Sequence, residues 1–229
     1  MLKILNDILN LFFPNLCLLC KTPLIDGEKQ ICLNCLSDLP KTDYHKQALN
    51  PAEQLFMGKA NIIHAYSFLH YEKGGHVQKL IHSLKYHDNK EIGYILGRQA
   101  ALELQKVNSP LCQTDFLIPV PLHPKKQKQR GYNQAEWIAL GLSSIWHTPV
   151  NTTTLCRTKK TDTQTRKSVY NRWINVKDIF LAQNINELED KHILLIDDVI
   201  TTGSTISGCT DALSSVSGLQ ISVFSLSIA

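Results

Sequence analysis

No stretch of eighteen consecutive apolar residues occurs in this 229-residue chain, so a membrane span is not expected. The apolar start, Met1–Phe13, is interrupted by Lys3, Asn6, Asp7 and Asn10 and does not read as a convincing signal peptide. Ile4, Leu5, Ile8, Leu9 and Phe12 fall instead at helical spacing, which predicts a short docking helix. Without an export signal, an oxidising compartment is not implied, and the seven cysteines do not read as a disulfide scaffold. Disorder is disfavoured too, because hydrophobic residues make up 43% of a chain long enough to bury a sizeable core. Nor does any residue announce a nucleobase pocket or a general base.

Among the cysteines that are present, four share one pattern. Cys17-x-x-Cys20 is followed, after eleven residues, by Cys32-x-x-Cys35. Each Cys-x-x-Cys turn aims two thiolates at one point, and two such turns complete the tetrahedron that Zn²⁺ accepts. Four protein ligands leave no open position, so the expected metal is structural zinc. Cys112, Cys156 and Cys209 have no partner at ligand spacing and read as ordinary small residues.

The most informative segment is residues 191–205, KHILLIDDVITTGST. Ile193–Ile196 is a continuous apolar run of the kind buried on both faces of a parallel sheet. Asp197 and Asp198 then fall at the carboxyl edge, where open α/β sheets bind their ligands. Thr201, Thr202, Gly203, Ser204 and Thr205 supply hydroxyls, unhindered amides and freedom for positive φ just ahead of a helix starting near Ser204. A phosphate fits that turn. The paired carboxylates suit vicinal ribose hydroxyls or Mg²⁺. One sugar phosphate would use both halves, although an acidic turn with a hydroxyl cap is the simpler alternative for such residues.

The remaining chain reads as strand over Ile62–Tyr71, helices over His76–Tyr86 and Lys90–Val107, strand over Phe116–Val120, helix over Asn133–Trp146 and strand over Val150–Leu155. After the acidic strand, a helix over Ser204–Ser215 and a strand over Gln220–Ile228 close the pattern. This order predicts a doubly wound parallel α/β sheet. An N-terminal helix and knuckle (1–45) are expected to precede the main domain (46–229), which includes a helical lid at about 74–107. Positive charge is concentrated between His123 and Arg172. There Lys125, Lys126, Lys128, Arg130 and further basic residues face only Glu136 and Asp162, whereas the whole chain carries +4. Phosphate binding, nucleic-acid binding and a solvated basic surface all remain open for that region.

The acidic segment resembles the type I phosphoribosyltransferase signature for 5-phosphoribosyl-1-pyrophosphate (PRPP). The wider chain resembles the ComF/GntX family of competence-associated, phosphoribosyltransferase-like proteins. That likeness rests on the four-cysteine knuckle, Leu80-Ile81-x-x-Leu84-Lys85-Tyr86, Pro119-Val120-Pro121-Leu122-His123 with Arg130-Gly131-Tyr132-Asn133-Gln134, Thr161-x-x-Gln164 with Arg172-x-x-Asn175, and Asp197-Asp198-Val199-Ile200-Thr201-Thr202-Gly203. The resemblance implies a type I phosphoribosyltransferase fold that binds PRPP with Mg²⁺ in the cytoplasm and serves natural transformation. It also implies single-stranded DNA and other competence proteins as partners. By the same resemblance, Leu122–Arg130 is a pyrophosphate-binding loop, with Leu122, His123 and Arg130 as candidates. Arg157–Arg172 is a mobile covering loop, with Arg157 and Arg172 as candidates. Whether the protein transfers phosphoribose, senses PRPP or holds DNA as an adaptor, or salvages a nucleobase stays open at this level.

Overall fold

Apolar segments pair in parallel to form the central sheet of the structure, a computed structural model that describes residues 13–86, 88–157 and 179–229. Its strands are β1 (His64–His70), β2 (Phe116–Pro119), β5 (His192–Ile200) and β6 (Gln220–Ile228), ordered β1-β6-β5-β2. Two shorter strands, β3 (Leu155–Arg157) and β4 (Phe180–Ala182), form a separate antiparallel pair. Ile193, Leu194, Leu195 and Ile196 are fully buried, as a strand covered on both faces requires. Their register pairs Ile193 with Ile221, Leu195 with Val223 and Asp197 with Ser225. The result is the parallel α/β architecture expected from the order of elements.

The helices are α1 (Leu33–Ser37), α2 (Pro51–Phe56), α3 (His76–Tyr86), α4 (Glu91–Lys106), α5 (Pro124–Arg130), α6 (Gln134–Trp146) and α7 (Ser204–Ala212). On α3, Val77, Leu80, Ile81 and Leu84 are buried as one stripe. Helix α6 packs on β2 and β5 and crosses α4. That crossing needs glycine. A Cβ on Gly97 would run into the carbonyl oxygen of Ile138, and one on Gly141 into that of Tyr94. Asn133 caps α6 by accepting the Ala135 N–H at 3.1 Å.

Local chemistry altered several expected boundaries. Residues 40–42 lie along the free edge of β1, where the Thr42 N–H donates to Phe68 and Pro40 accepts from His70. Asn50 then caps α2 reciprocally with Glu53, so regular structure begins soon after the expected boundary at 45/46. The strand expected over Val150–Leu155 is split. Val150 bridges Leu117 in parallel, but Asn151 Oδ1 accepts the N–H groups of Thr153 and Thr154 and turns the chain before β3. Leu122–Arg130, read as a loop, contains α5. His123 accepts the Lys125 N–H, Pro124 begins the helix and Gly131 ends it at φ 77°. The acidic strand continues to Ile200, so Asp197 and Asp198 belong to its outer end rather than to a turn beyond it. Helix α7 ends at Ala212, short of the expected Ser215. The docking helix expected at the start lies outside the described residues apart from Phe13.

Candidate functional site

At the carboxyl end of β5 the strand outruns its neighbour β2, which ends at Pro119 beside Ile196. Asp197 and Asp198 project from this overhang. The Asp198 N–H donates to Asp197 Oδ1 at 2.8 Å, while Asp198 Oδ1 accepts from Lys85 Nζ at 3.0 Å. Burial, and then the neighbouring Asp198 charge, push the Asp197 carboxyl up to about 7. The Asp198 N–H, Lys85 and Arg157 oppose that rise. Negative charge is therefore costly at Asp197, a condition that ribose hydroxyl donors or a divalent cation would relieve.

Immediately beyond Ile200 the chain turns into α7. Gly203 has φ 77°, and a Cβ there would approach Phe56 Cε1 to 2.8 Å. Both the left-handed backbone and the close aromatic wall therefore select glycine. The hydroxyls of Thr202 and Ser204 lie 2.8 Å apart, and the Ser204 N–H points to Thr202 Oγ1 at 3.4 Å. Thr201, Thr202 and Ser204 are exposed, and Thr205 is half-buried. Together with the first amides of α7, this turn offers donors to an anion beside the acidic pair.

The expected basic contacts separate on folding. Arg157 acts on Asp197 electrostatically from β3, with its guanidinium 5.2 Å from the Phe180 ring and its buried Nε without a hydrogen-bond partner among the described residues. Arg130 Nη1 donates to Gln134 Oε1 at 2.9 Å, and its guanidinium lies 5.2 Å from the Tyr86 ring. His123 Nδ1 is used as the cap of α5, and Leu122 is half-buried just before that helix. Lys125, Lys126 and Lys128 are exposed on α5. Arg172, and the Thr161–Asn175 motif, lie outside the described residues. Lys85 was quoted above only as part of a motif, yet it makes the direct ion pair with Asp198. Its place in Leu84-Lys85-Tyr86, at the end of an otherwise apolar helix stripe, was the available signal.

Four cysteines form a second centre. The Sγ atoms of Cys17, Cys20, Cys32 and Cys35 all lie within 4.8 Å of one another, and those of Cys20 and Cys32 are 3.7 Å apart. A tetrahedral zinc with bonds of about 2.3 Å requires sulfurs about 3.8 Å apart, so the donor set fits that ion. The N–H groups of Cys32 and Cys35 point to the sulfurs of Cys17 and Cys32 at 3.4 and 3.5 Å. The Thr22 hydroxyl and N–H draw the Cys20 thiol down to about 6, whereas burial and neighbouring thiols push Cys35 up. Four sulfurs this close could hold a metal ion such as zinc.

Neither centre coincides with a cavity of about 610 Å³ beside β1, lined by Tyr44, Asn50, Phe56, His64, Tyr66 and Leu111 among others. Phe56 both lines it and packs against the Gly203 turn. Among the described residues, no helix is long and apolar enough to cross a membrane.

No family model matches the chain. It is 29% identical over 213 residues to the DNA utilization protein YhgH of Escherichia coli (strain K12), covering 85% of this chain and 88% of that protein. It is 35% identical over 150 residues to competence protein F of Haemophilus influenzae, covering 64% and 66%. Over 90 residues it is 36% identical to competence protein ComFC of Bacillus subtilis, covering 39% and 34%. Among solved structures, the allosteric regulatory enzyme of purine biosynthesis aligns with a TM-score of 0.43 and 16% identity, over 64% of this chain and 30% of that one. A purine phosphoribosyltransferase from Pyrococcus horikoshii aligns with a TM-score of 0.35 and 14% identity, over 58% and 80%.

Proposed function

The chain belongs with competence protein F and the DNA utilization proteins YhgH as their homologue, and from that premise we propose that it is a cytoplasmic, PRPP-binding, phosphoribosyltransferase-like protein of natural transformation. The observation that carries the reading is the continuity of acidic strand end, glycine turn and helix start over Asp197–Thr205. Asp197 and Asp198 accept hydrogen bonds from the ribose hydroxyls. The hydroxyls of Thr201, Thr202, Ser204 and Thr205 and the amides around Gly203 hold the 5′-phosphate. Asp197 and Asp198 are the residues that would hold Mg²⁺, which would neutralise part of the ligand's charge. Arg157, which acts on Asp197 through space, and Arg130 are the candidate cations for the diphosphate, whose charge grows if the C1′–oxygen bond breaks. The knuckle carries structural zinc through Cys17, Cys20, Cys32 and Cys35.

The test is calorimetry of PRPP with Mg²⁺ on the wild type and on Asp197→Asn/Asp198→Asn. Asn preserves size and turn preference, so the variant is expected to melt cooperatively while losing ligand affinity. Equal affinity in both proteins overturns the cradle reading. Pyrophosphate release with candidate acceptors then separates phosphoribosyl transfer, including nucleobase salvage, from a non-catalytic PRPP sensor. The exposed lysines of α5 favour one additional reading, contact with a polyanion such as single-stranded DNA.

A further inference from the structure

Residues 84–86 meet the end of α5 and the turn that joins it to α6. The buried Tyr132 hydroxyl donates to the Leu84 carbonyl, and the Arg130 guanidinium lies 5.2 Å from the Tyr86 ring. Arg130 is itself tied to Gln134, a residue only 2% exposed. Lys85 thus has a contacted neighbour on each side, Leu84 through its carbonyl and Tyr86 through its ring, and it sits in the last turn of α3. Its ammonium lies 3.0 Å from Asp198 Oδ1, with side-chain exposures of 23% and 12%.

A pair so far from water is a poor stabiliser, because desolvation offsets its attraction and apolar residues would fill the space as well. It is, however, a good placeholder. Lysine carries a point charge on a flexible four-carbon stem, so the ammonium can change partners while its backbone stays clamped. A ligand that engages Asp198 through ribose hydroxyls or a cation must displace this ammonium, which then needs another anion within reach. Ribose 5-phosphate brings no such anion at C1′, whereas PRPP brings a diphosphate.

We propose that Lys85 is a displaceable counter-ion that neutralises Asp198 in the ligand-free protein and passes to the diphosphate of PRPP, so that it selects diphosphate over monophosphate sugars. The proposal rests on the phosphoribose reading above and assigns Lys85 a specificity role within it.

Titration of the full-length, zinc-loaded protein with PRPP and with ribose 5-phosphate, each with Mg²⁺, tests it. Lys85→Met is expected to weaken PRPP binding about tenfold or more and to change ribose 5-phosphate binding less than about threefold, which narrows the ratio between them. Lys85→Arg keeps a cation and should retain most of that ratio. Where Lys85→Met does not fold, Tyr132→Phe loosens the clamp without removing the charge and must narrow the same ratio. Parallel losses for both ligands, or an unchanged ratio in the folded variants, overturn the Lys85 role alone. A wild-type protein that binds neither sugar phosphate overturns the phosphoribose reading and the Lys85 role with it.

Discussion

In the cysteine knuckle four sulfurs lie within 4.8 Å of one another, and at the end of β5 two aspartates are consecutive, so both regions crowd ionisable groups. They relieve the crowding differently. The knuckle draws its whole donor set from residues 17–35, and a zinc ion held by all four sulfurs would have no position left open to a ligand. The acidic edge takes its balancing cations from distant elements, Lys85 on α3 and Arg157 on β3, and that balance is incomplete. A closed, locally built centre supports structure. An open centre assembled from afar can exchange partners.

The largest effect that could break this contrast is expected in the knuckle. Cys32→Ser should reduce zinc from about one ion per chain to a weakly held fraction and loosen the stretch around Pro14–Asp38, because metal binding and local folding are coupled. Metal analysis with hydrogen exchange reads both, and stoichiometric wild-type protein with disulfides in place of metal would defeat the assignment. At the acidic edge, the Asp197→Asn/Asp198→Asn pair should weaken PRPP by at least about tenfold, since each charge-assisted hydrogen bond contributes ~1.5–3 kcal/mol. Its zinc content should not change. Loss of metal in that variant would show that the two regions are not independent.

A smaller effect concerns protons. The Asp197 carboxyl ordinarily titrates near 3.8 and is pushed up to about 7 in the folded chain, so the folded state binds more protons than the unfolded state between those values. Its contribution to stability is therefore present at low pH and is lost as pH rises through about 7. Asp197→Asn should flatten this dependence. Denaturant midpoints for both proteins between about pH 5 and 8 check the sign, and parallel profiles would contradict it. The smallest change is at the surface. Neutralising Lys125, Lys126 and Lys128 together should reduce the salt dependence of single-stranded DNA binding, and an unaltered slope would place DNA elsewhere or nowhere.

Much of the frame was legible because its causes are local. Val77, Leu80, Ile81 and Leu84 marked the buried face of α3, Asn133 announced the start of α6, and Ile193–Ile196 announced a strand covered on both faces. Helix α5 carried equally local signals, Pro124 at its start and Gly131 after its end, but the basic run between them masked the pattern. Asn151 was hidden for another reason. Its side chain competes with the strand for backbone N–H groups, and residue periodicity does not register that competition.

The sequence by itself determined the four-cysteine donor set, the order of acidic strand, glycine turn and helix, and the alternation of elements that makes a parallel sheet, because each depends on residues close together in the chain. Tertiary structure decided which cations face the acidic pair. Lys85 lies more than a hundred positions before Asp198 and meets it only in the folded chain, where Tyr132 and Arg130 contact the residues on either side of it. Packing also decided that Gly97 and Gly141 must be glycine, since backbone carbonyls of facing helices occupy the space a side chain would need. Through-space charge and steric exclusion have no period along the chain.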